Sequence, residues 1–179
     1  MIPSLRSEWT TGPGGRRARF ALPALLLILT WACGPAREHF ADTHASPEAL
    51  TETFLGALEA RDRPVLEGLA LSEEEFRLEV FPEMPAYGNI PPDLAWSQLA
   101  ARSLYGLSSV LAAHGGRSWE LEELIDGGET SVYQSFVVHR DPMLRLRCRS
   151  TGERREMALF GSFLEHRGRF KLVSFNLDR

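Results

Sequence analysis

Lysine is almost missing from this chain of 179 residues: Lys171 stands alone, and arginine supplies the rest of the 20 basic side chains. That skew reads as a GC-rich bacterial coding bias rather than a selected chemistry. A basic surplus is missing too. Against 24 acidic residues the net charge is −4, which argues against nucleic acid as the main partner. Cysteine is scarce, with only Cys33 and Cys148 present. No apolar run is long enough to cross a bilayer as a helix, since Phe20 to Ala32 gives 13 residues where about 20 are needed. What remains, 44% hydrophobic and 25% charged, is the composition of an ordinary globular protein rather than a disordered or collagenous one.

The amino terminus has the layout of an export signal. Arg16-Arg17-Ala18-Arg19 leads directly into the apolar run, and Leu29-Thr30-Trp31-Ala32-Cys33 then sets a cysteine after a small residue at its end. On the residues alone this is a secretory signal cut near Ala32. It resembles a bacterial lipoprotein signal, with Thr30 and Trp31 where that family prefers Leu and a small residue. The resemblance implies cleavage before Cys33, a diacylglyceryl group on its thiol, and a location in the bacterial cell envelope on a membrane anchor. The domain layout is then a signal over 1–32, a tether over 33–45 and one domain over 46–179. Cleavage leaves 147 residues with a net charge of −7. A chain of that length buries roughly 70% of its unfolded surface and needs no disulfide.

Within the domain, helical signals come first. Ser46-Pro47-Glu48 pairs an N-cap residue with proline at the first helical position, ahead of a stripe through Leu50, Phe54, Leu55 and Leu58. Asp62-Arg63-Pro64 restarts the chain as a second short helix. Ser72 with Glu75 forms a capping box for a third, through Phe76, Leu78 and Val80. The segment from Phe81 to Pro92 holds four prolines and reads as an ordered loop or lid rather than regular structure. Asp93 then caps a long helix carrying Leu94, Trp96, Leu99, Ala100, Leu104, Leu107, Val110 and Leu111, ended by Gly115-Gly116.

From Ser118 the apolar period changes to that of strands. Five are expected: Ser118 to Ile125, Ser131 to Arg140, Met143 to Ser150, Arg155 to Glu165 and Phe170 to Leu177. Their short connections, such as Asp141-Pro142, force antiparallel neighbours. The fold class is therefore α+β, with N-terminal helices packed on a curved antiparallel sheet of about five strands. Charge follows the same division. Residues 46–126 hold 15 acidic and 5 basic side chains, and residues 127–179 hold 6 acidic and 10 basic.

Helices first, strands after, and the closing segment from Leu159 to Phe175 with Phe170-Lys171-Leu172 in its last strand resemble the nuclear transport factor 2-like superfamily, in its bacterial lipoprotein and polyketide-cyclase-like branches. The resemblance implies a cone enclosing a pocket, used for ligand binding in some branches and for acid–base catalysis in others. An expected early strand is replaced here by the proline-rich loop. No residue matches a catalytic pattern of the superfamily, so no role is carried over.

The candidate pocket-lining residues are Trp96, Tyr105, Tyr133, Phe136 and Phe163. On the expected second strand, Tyr133 and His139 share a face with Ser135 and Val137, and the other face, Val132, Gln134, Phe136 and Val138, is the apolar one. Tyr133 and His139 therefore read as rim or surface positions. His139, Asp141 and His166 lack the spacing of a metal site, and no metal or other cofactor is expected. Glu73-Glu74-Glu75 complements the dipole of its helix. In Arg145-Leu146-Arg147-Cys148-Arg149 the alternation turns Cys148 inward with Leu144 and Leu146, and the arginines outward toward glutamates such as Glu156. Three function classes follow. One is a non-catalytic, lipid-anchored domain binding a small apolar ligand or an envelope protein. Another is a cofactor-free isomerase, cyclase or dehydratase. The last is an interaction module with a filled core.

Overall fold

The computed structural model describes residues 40–84, 89–125 and 127–175. The signal over 1–32, the anchor residue Cys33 and the first part of the tether lie outside the described residues.

Helix α1 (Pro47–Ala60) starts as its cap dictates, with Ser46 Oγ accepting from Ala49 N at 3.1 Å. Its apolar stripe, Leu50, Phe54, Leu55, Ala57 and Leu58, is buried. Arg61 ends it in the left-handed region at φ 54°, and its guanidinium donates to Gly115 O at 2.9 Å. Helix α2 (Arg63–Leu69) is capped by Asp62 and buries Leu66 and Leu69. In α3 (Glu73–Glu75) both hydrogen bonds of the capping box are present. The chain runs on through a π-helical turn over Phe76–Val80, then a short 3-10 turn over Phe81–Glu83. Phe76 and Val80, four apart, are buried together, while Leu78 points the other way and is 52% exposed. Helix α4 (Pro92–His114) begins one residue before Asp93, which sits in the first turn rather than at the cap. At its end Gly115 is required: a Cβ there would lie 2.4 Å from Leu111 O.

The carboxy-terminal region is antiparallel, but its strands form two sheets instead of one meander. Strands β1 (Trp119–Ile125), β4 (Met143–Cys148) and β5 (Arg154–Met157) make a sheet in the order β1-β4-β5. Strands β2 (Glu129–Val132), β3 (Val137–Arg140), β6 (Phe160–His166) and β7 (Arg169–Phe175) make the other, in the order β2-β3-β6-β7. Two expected strands are therefore each divided. The expected strand from Ser131 to Arg140 folds back on itself at Tyr133-Gln134-Ser135-Phe136. There Tyr133 N donates to Phe136 O at 2.9 Å, and the two rings stack 4.7 Å apart. The expected strand from Arg155 to Glu165 leaves one sheet after Met157 and enters the other at Phe160, with Leu159 buried between. Asp141-Pro142 is correspondingly no hairpin turn, since β3 pairs with β2 and β6 while β4 pairs with β1 and β5. The closing hairpin is as the sequence indicates: Arg167 and Gly168 form its turn, both at positive φ, the requirement of a type I′ turn.

One buried cluster joins α1, α2 and α4 to both sheets, with Phe54 edge-on to Phe160 at 5.6 Å. A second gathers Phe40, Leu71, Phe76, Val80, Ala95, Phe136, Val138 and Leu164. Phe40 belongs to the expected tether, and the tether's last residues are in fact part of the domain. His44 exchanges two backbone hydrogen bonds of 2.9 Å with Phe170, so residues 40–44 form a strap over β7. Among the described residues no helix is long and apolar enough to cross a membrane.

Candidate functional site

Along α4, residues 96, 99, 100, 103, 104 and 107 follow the three- and four-residue steps of one helical face. That face does not close fully on the sheet. It leaves a groove of about 180 Å³, with Trp96, Leu99, Leu104 and Leu107 on the helix side and Val173 and Phe175 of β7 on the other. Glu67 and Ser103 are the polar side chains of the lining, and both are engaged. Glu67 pairs with Arg63 at 2.7 Å, and Ser103 Oγ accepts from Phe175 N at 3.3 Å. Trp96 is fixed by packing on Phe76, 5.5 Å between ring centroids. The groove presents mostly apolar walls, and Glu67, the ionisable residue of its lining, is paired with Arg63. Its volume is close to the ~150 Å³ that suffices for a benzene ring.

The five pocket-lining candidates do not gather in one place. Trp96 lines this groove. Tyr105 is 66% exposed, because nine residues from Trp96 is two and a half turns and puts it on the opposite side of α4. Tyr133 and Phe136 border a separate recess of about 210 Å³ near the tip of the β6–β7 hairpin, with Glu165 and Arg167 across it. Phe163 is buried in the core and stacks on His139 at 4.6 Å. The face assignment for the expected second strand holds after the turn, where Phe136 and Val138 are buried, and fails before it, where Val132 is 77% exposed. His139 is half-buried, and its Nε2 lies 3.2 Å from Glu165 Oε2. His166 Nδ1 lies 2.8 Å from Ser135 O. No group of three potential metal ligands is found among the described residues.

Cys148 is buried beside Leu144 and Leu146, as the alternation indicates. Hydroxyls add what the alternation does not contain. Ser150 Oγ is 3.2 Å from Sγ, and hydrogen bonds from Ser150 and then Thr151 outweigh burial and bring the thiol down to about 7. The arginine stripe is paired across the strands: Arg145 meets Glu123 and Glu156, Arg147 meets Glu120, and Arg154 meets Glu122. Arg154 holds the Glu122 carboxyl below its usual value.

A buried polar group escaped the sequence reading. Glu75, expected as a capping-box residue in an acidic first turn, is buried, and its Oε1 lies 3.0 Å from Nζ of the buried Lys171. The same oxygen accepts from Ala41 N at 2.7 Å, and Lys171 donates to Ala41 O at 2.8 Å. Burial pushes the Glu75 carboxyl up, but the Ser72 and Ala41 amides and the Lys171 ammonium win and hold it below the usual value. The signal was available: a lone lysine between Phe170 and Leu172 in a chain that otherwise uses arginine. Comparison with family models, with curated proteins and with solved structures finds no match.

Proposed function

We propose that this chain is an exported protein of the bacterial cell envelope, held to a membrane by a lipid on Cys33, whose domain binds a small apolar group in the α4 groove. The observation that carries the binding reading is the groove itself, a preformed apolar recess whose polar lining residues are already satisfied. Its size selects one apolar group: a ring or short alkyl portion of a small ligand, or a single side chain offered by an envelope protein. Helices ahead of the strands and the terminal β6–β7 hairpin support a nuclear transport factor 2-like domain, and the cone-like curvature of that superfamily belongs to the same proposal.

A second reading, a cofactor-free acid–base enzyme, is favoured by one observation: the His139–Glu165 pair stands beside the recess that Tyr133 and Arg167 border. The α4 groove carries the first reading further, because its walls are mostly apolar, the lining that a site for an apolar group needs.

Metabolic labelling with palmitate tests the anchor. The wild-type chain takes up label, Cys33→Ala does not, and Cys148→Ala does. An unlabelled wild type contradicts the anchor.

A further inference from the structure

Because the strap belongs to the domain, the tether is about half as long as the sequence indicates. Phe40 is 4% exposed within the second core cluster, so only the six residues from Gly34 to His39 separate it from Cys33. At ~3.6 Å per residue that stretch reaches about 25 Å when fully extended. A domain of this length has a radius of gyration of ~14 Å and is therefore roughly 35–40 Å across. The leash is shorter than the domain, so a chain anchored at Cys33 presents to the membrane the end at which Phe40 enters.

The register of the β2-β3-β6-β7 sheet shows what stands at that end. Strand β3 starts at Val137 opposite Glu165, and β6 ends at His166 opposite Arg169. The turn over Tyr133–Phe136 and the Arg167–Gly168 hairpin therefore lie side by side, with His166 Nδ1 2.8 Å from Ser135 O between them. The Phe40 ring packs edge-on to His166 at 5.3 Å, which sets the entry of the tether beside both turns.

Three exposed side chains at these turns are left unsatisfied by the domain. Val132 is 77% exposed, more than any other large hydrophobic side chain among the described residues. Arg167 is exposed at the hairpin tip and makes no ion pair among the described residues. Arg169, also exposed, donates to Thr43 Oγ1 at 3.0 Å and to Thr43 O at 2.5 Å, neutral oxygens that leave its charge uncancelled. The neighbouring acids are engaged: Glu165 lies 3.2 Å from His139 Nε2, and Glu83 accepts from Ser135 N at 3.0 Å. Asp42 of the strap borders α2 instead.

We infer that this end of the sheet docks on the bilayer that holds Cys33, with Arg167 and Arg169 on the phosphates of anionic phospholipid headgroups and Val132 against the interface. The inference rests on the lipid anchor proposed above. Each arginine near such a surface contributes roughly a fivefold preference that fades within a Debye length, so the short leash is what makes two of them effective. The mature chain's net charge of −7 opposes contact elsewhere. Val173 and Phe175, which wall the α4 groove, lie toward the other end of β7 from Arg169, so docking leaves the groove open to the aqueous side.

The test uses the mature acylated chain in nanodiscs of phosphatidylcholine and phosphatidylglycerol that contain a gadolinium-chelating lipid, with methyl relaxation as the readout. Mass measurement of the purified chain reads its acyl groups first. The Val132 methyls should relax severalfold faster than that of Met143, which lies just beyond the other end of β3, and the contrast should shrink in phosphatidylcholine alone or in added salt. Arg167→Asn, which suits the left-handed backbone there, should lower the docked-to-undocked ratio roughly fivefold. Arg102→Asn makes the same charge change on α4, next to the Ser103 that meets Phe175, and should leave the ratio unchanged. Equal broadening of Val132 and Met143 in an acylated chain overturns the inference alone, as does an Arg167→Asn variant indistinguishable from Arg102→Asn. A chain without acyl groups overturns the anchor, and this inference with it.

Discussion

The outer face of the β1-β4-β5 sheet and the root of the strap both join acid to base, with opposite energetics. On the sheet, Arg145, Arg147 and Arg154 meet Glu120, Glu122, Glu123 and Glu156 in water, and Arg145 and Glu156 keep 41% and 52% of their side-chain surface exposed. At the strap, Glu75 and Lys171 are only 8% and 3% exposed and share Ala41 between them. Exposed pairs are screened and spend entropy on long side chains, so each contributes little. A buried pair has already given up its hydration, so removing one partner strands the other charge in the interior. Many ion pairs on one sheet therefore decide less than one pair beneath the strap.

The largest expected effect comes from breaking the buried pair. Lys171→Met or Glu75→Gln should lower unfolding stability by about 3–5 kcal/mol in urea denaturation, and Lys171→Met combined with Glu75→Gln, which keeps an acceptor for the Ser72 and Ala41 amides, should recover part of that loss. A double variant as unstable as the singles would show that the pair, not its isolation from water, supplies the stability.

Acid sharpens the same contrast in two windows. The folded pKa of Glu75 is depressed, so its contribution is present above the ordinary value of 4.5 and is lost as pH falls through the folded value; Glu75→Gln should remove that part of the acid transition. The folded pKa of His44 is also depressed, so the unfolded chain takes up a proton first, and stability should decline as pH falls below 6.5. His44→Gln should flatten this earlier decline and leave the later one in place. Thermal melts between pH 8 and pH 3 read both.

Smaller effects are expected on the sheet. Arg145→Ala should leave the denaturation midpoint almost unmoved, and added salt should erase any difference from wild type. A large, salt-resistant loss would make the exposed ladder equal to the buried pair. At the end of β4, Cys148 should react slowly with a thiol reagent in the folded state because it is buried, and the pH midpoint of that slow reaction should lie near 7 and rise in Ser150→Ala. Rapid stoichiometric labelling of the folded chain would contradict its burial.

Helix starts were legible because caps and prolines are local: Ser46-Pro47, Asp62 with Pro64, and the Ser72–Glu75 box each act within four residues. The α4 stripe was legible for the same reason, since Leu99, Ala100, Leu104 and Leu107 declare one face by spacing alone. The division of the strands was not. The turn at Tyr133-Gln134-Ser135-Phe136 contains no Gly, Pro or Asn, and is held by a ring stack and by Glu83 accepting from Ser135 N at 3.0 Å, across 52 positions of sequence. The passage from β5 to β6 through Ala158 and Leu159 is apolar throughout and looks like continuous strand. Which walls face the α4 groove was equally hidden, because Val173 and Phe175 reach it only after β7 takes its place in the sheet. Lys171 carried a compositional signal but no partner, since Glu75 lies 96 residues away.

The binding claim is tested most directly by the methyl resonances of Leu99, Leu104, Leu107 and Val173 during titration of the full-length chain with toluene. The account predicts saturable shifts confined to these groups and their neighbours, abolished by Ala100→Trp while the chain keeps its fold. Shifts that fail to saturate, or that persist unchanged in Ala100→Trp, would contradict it.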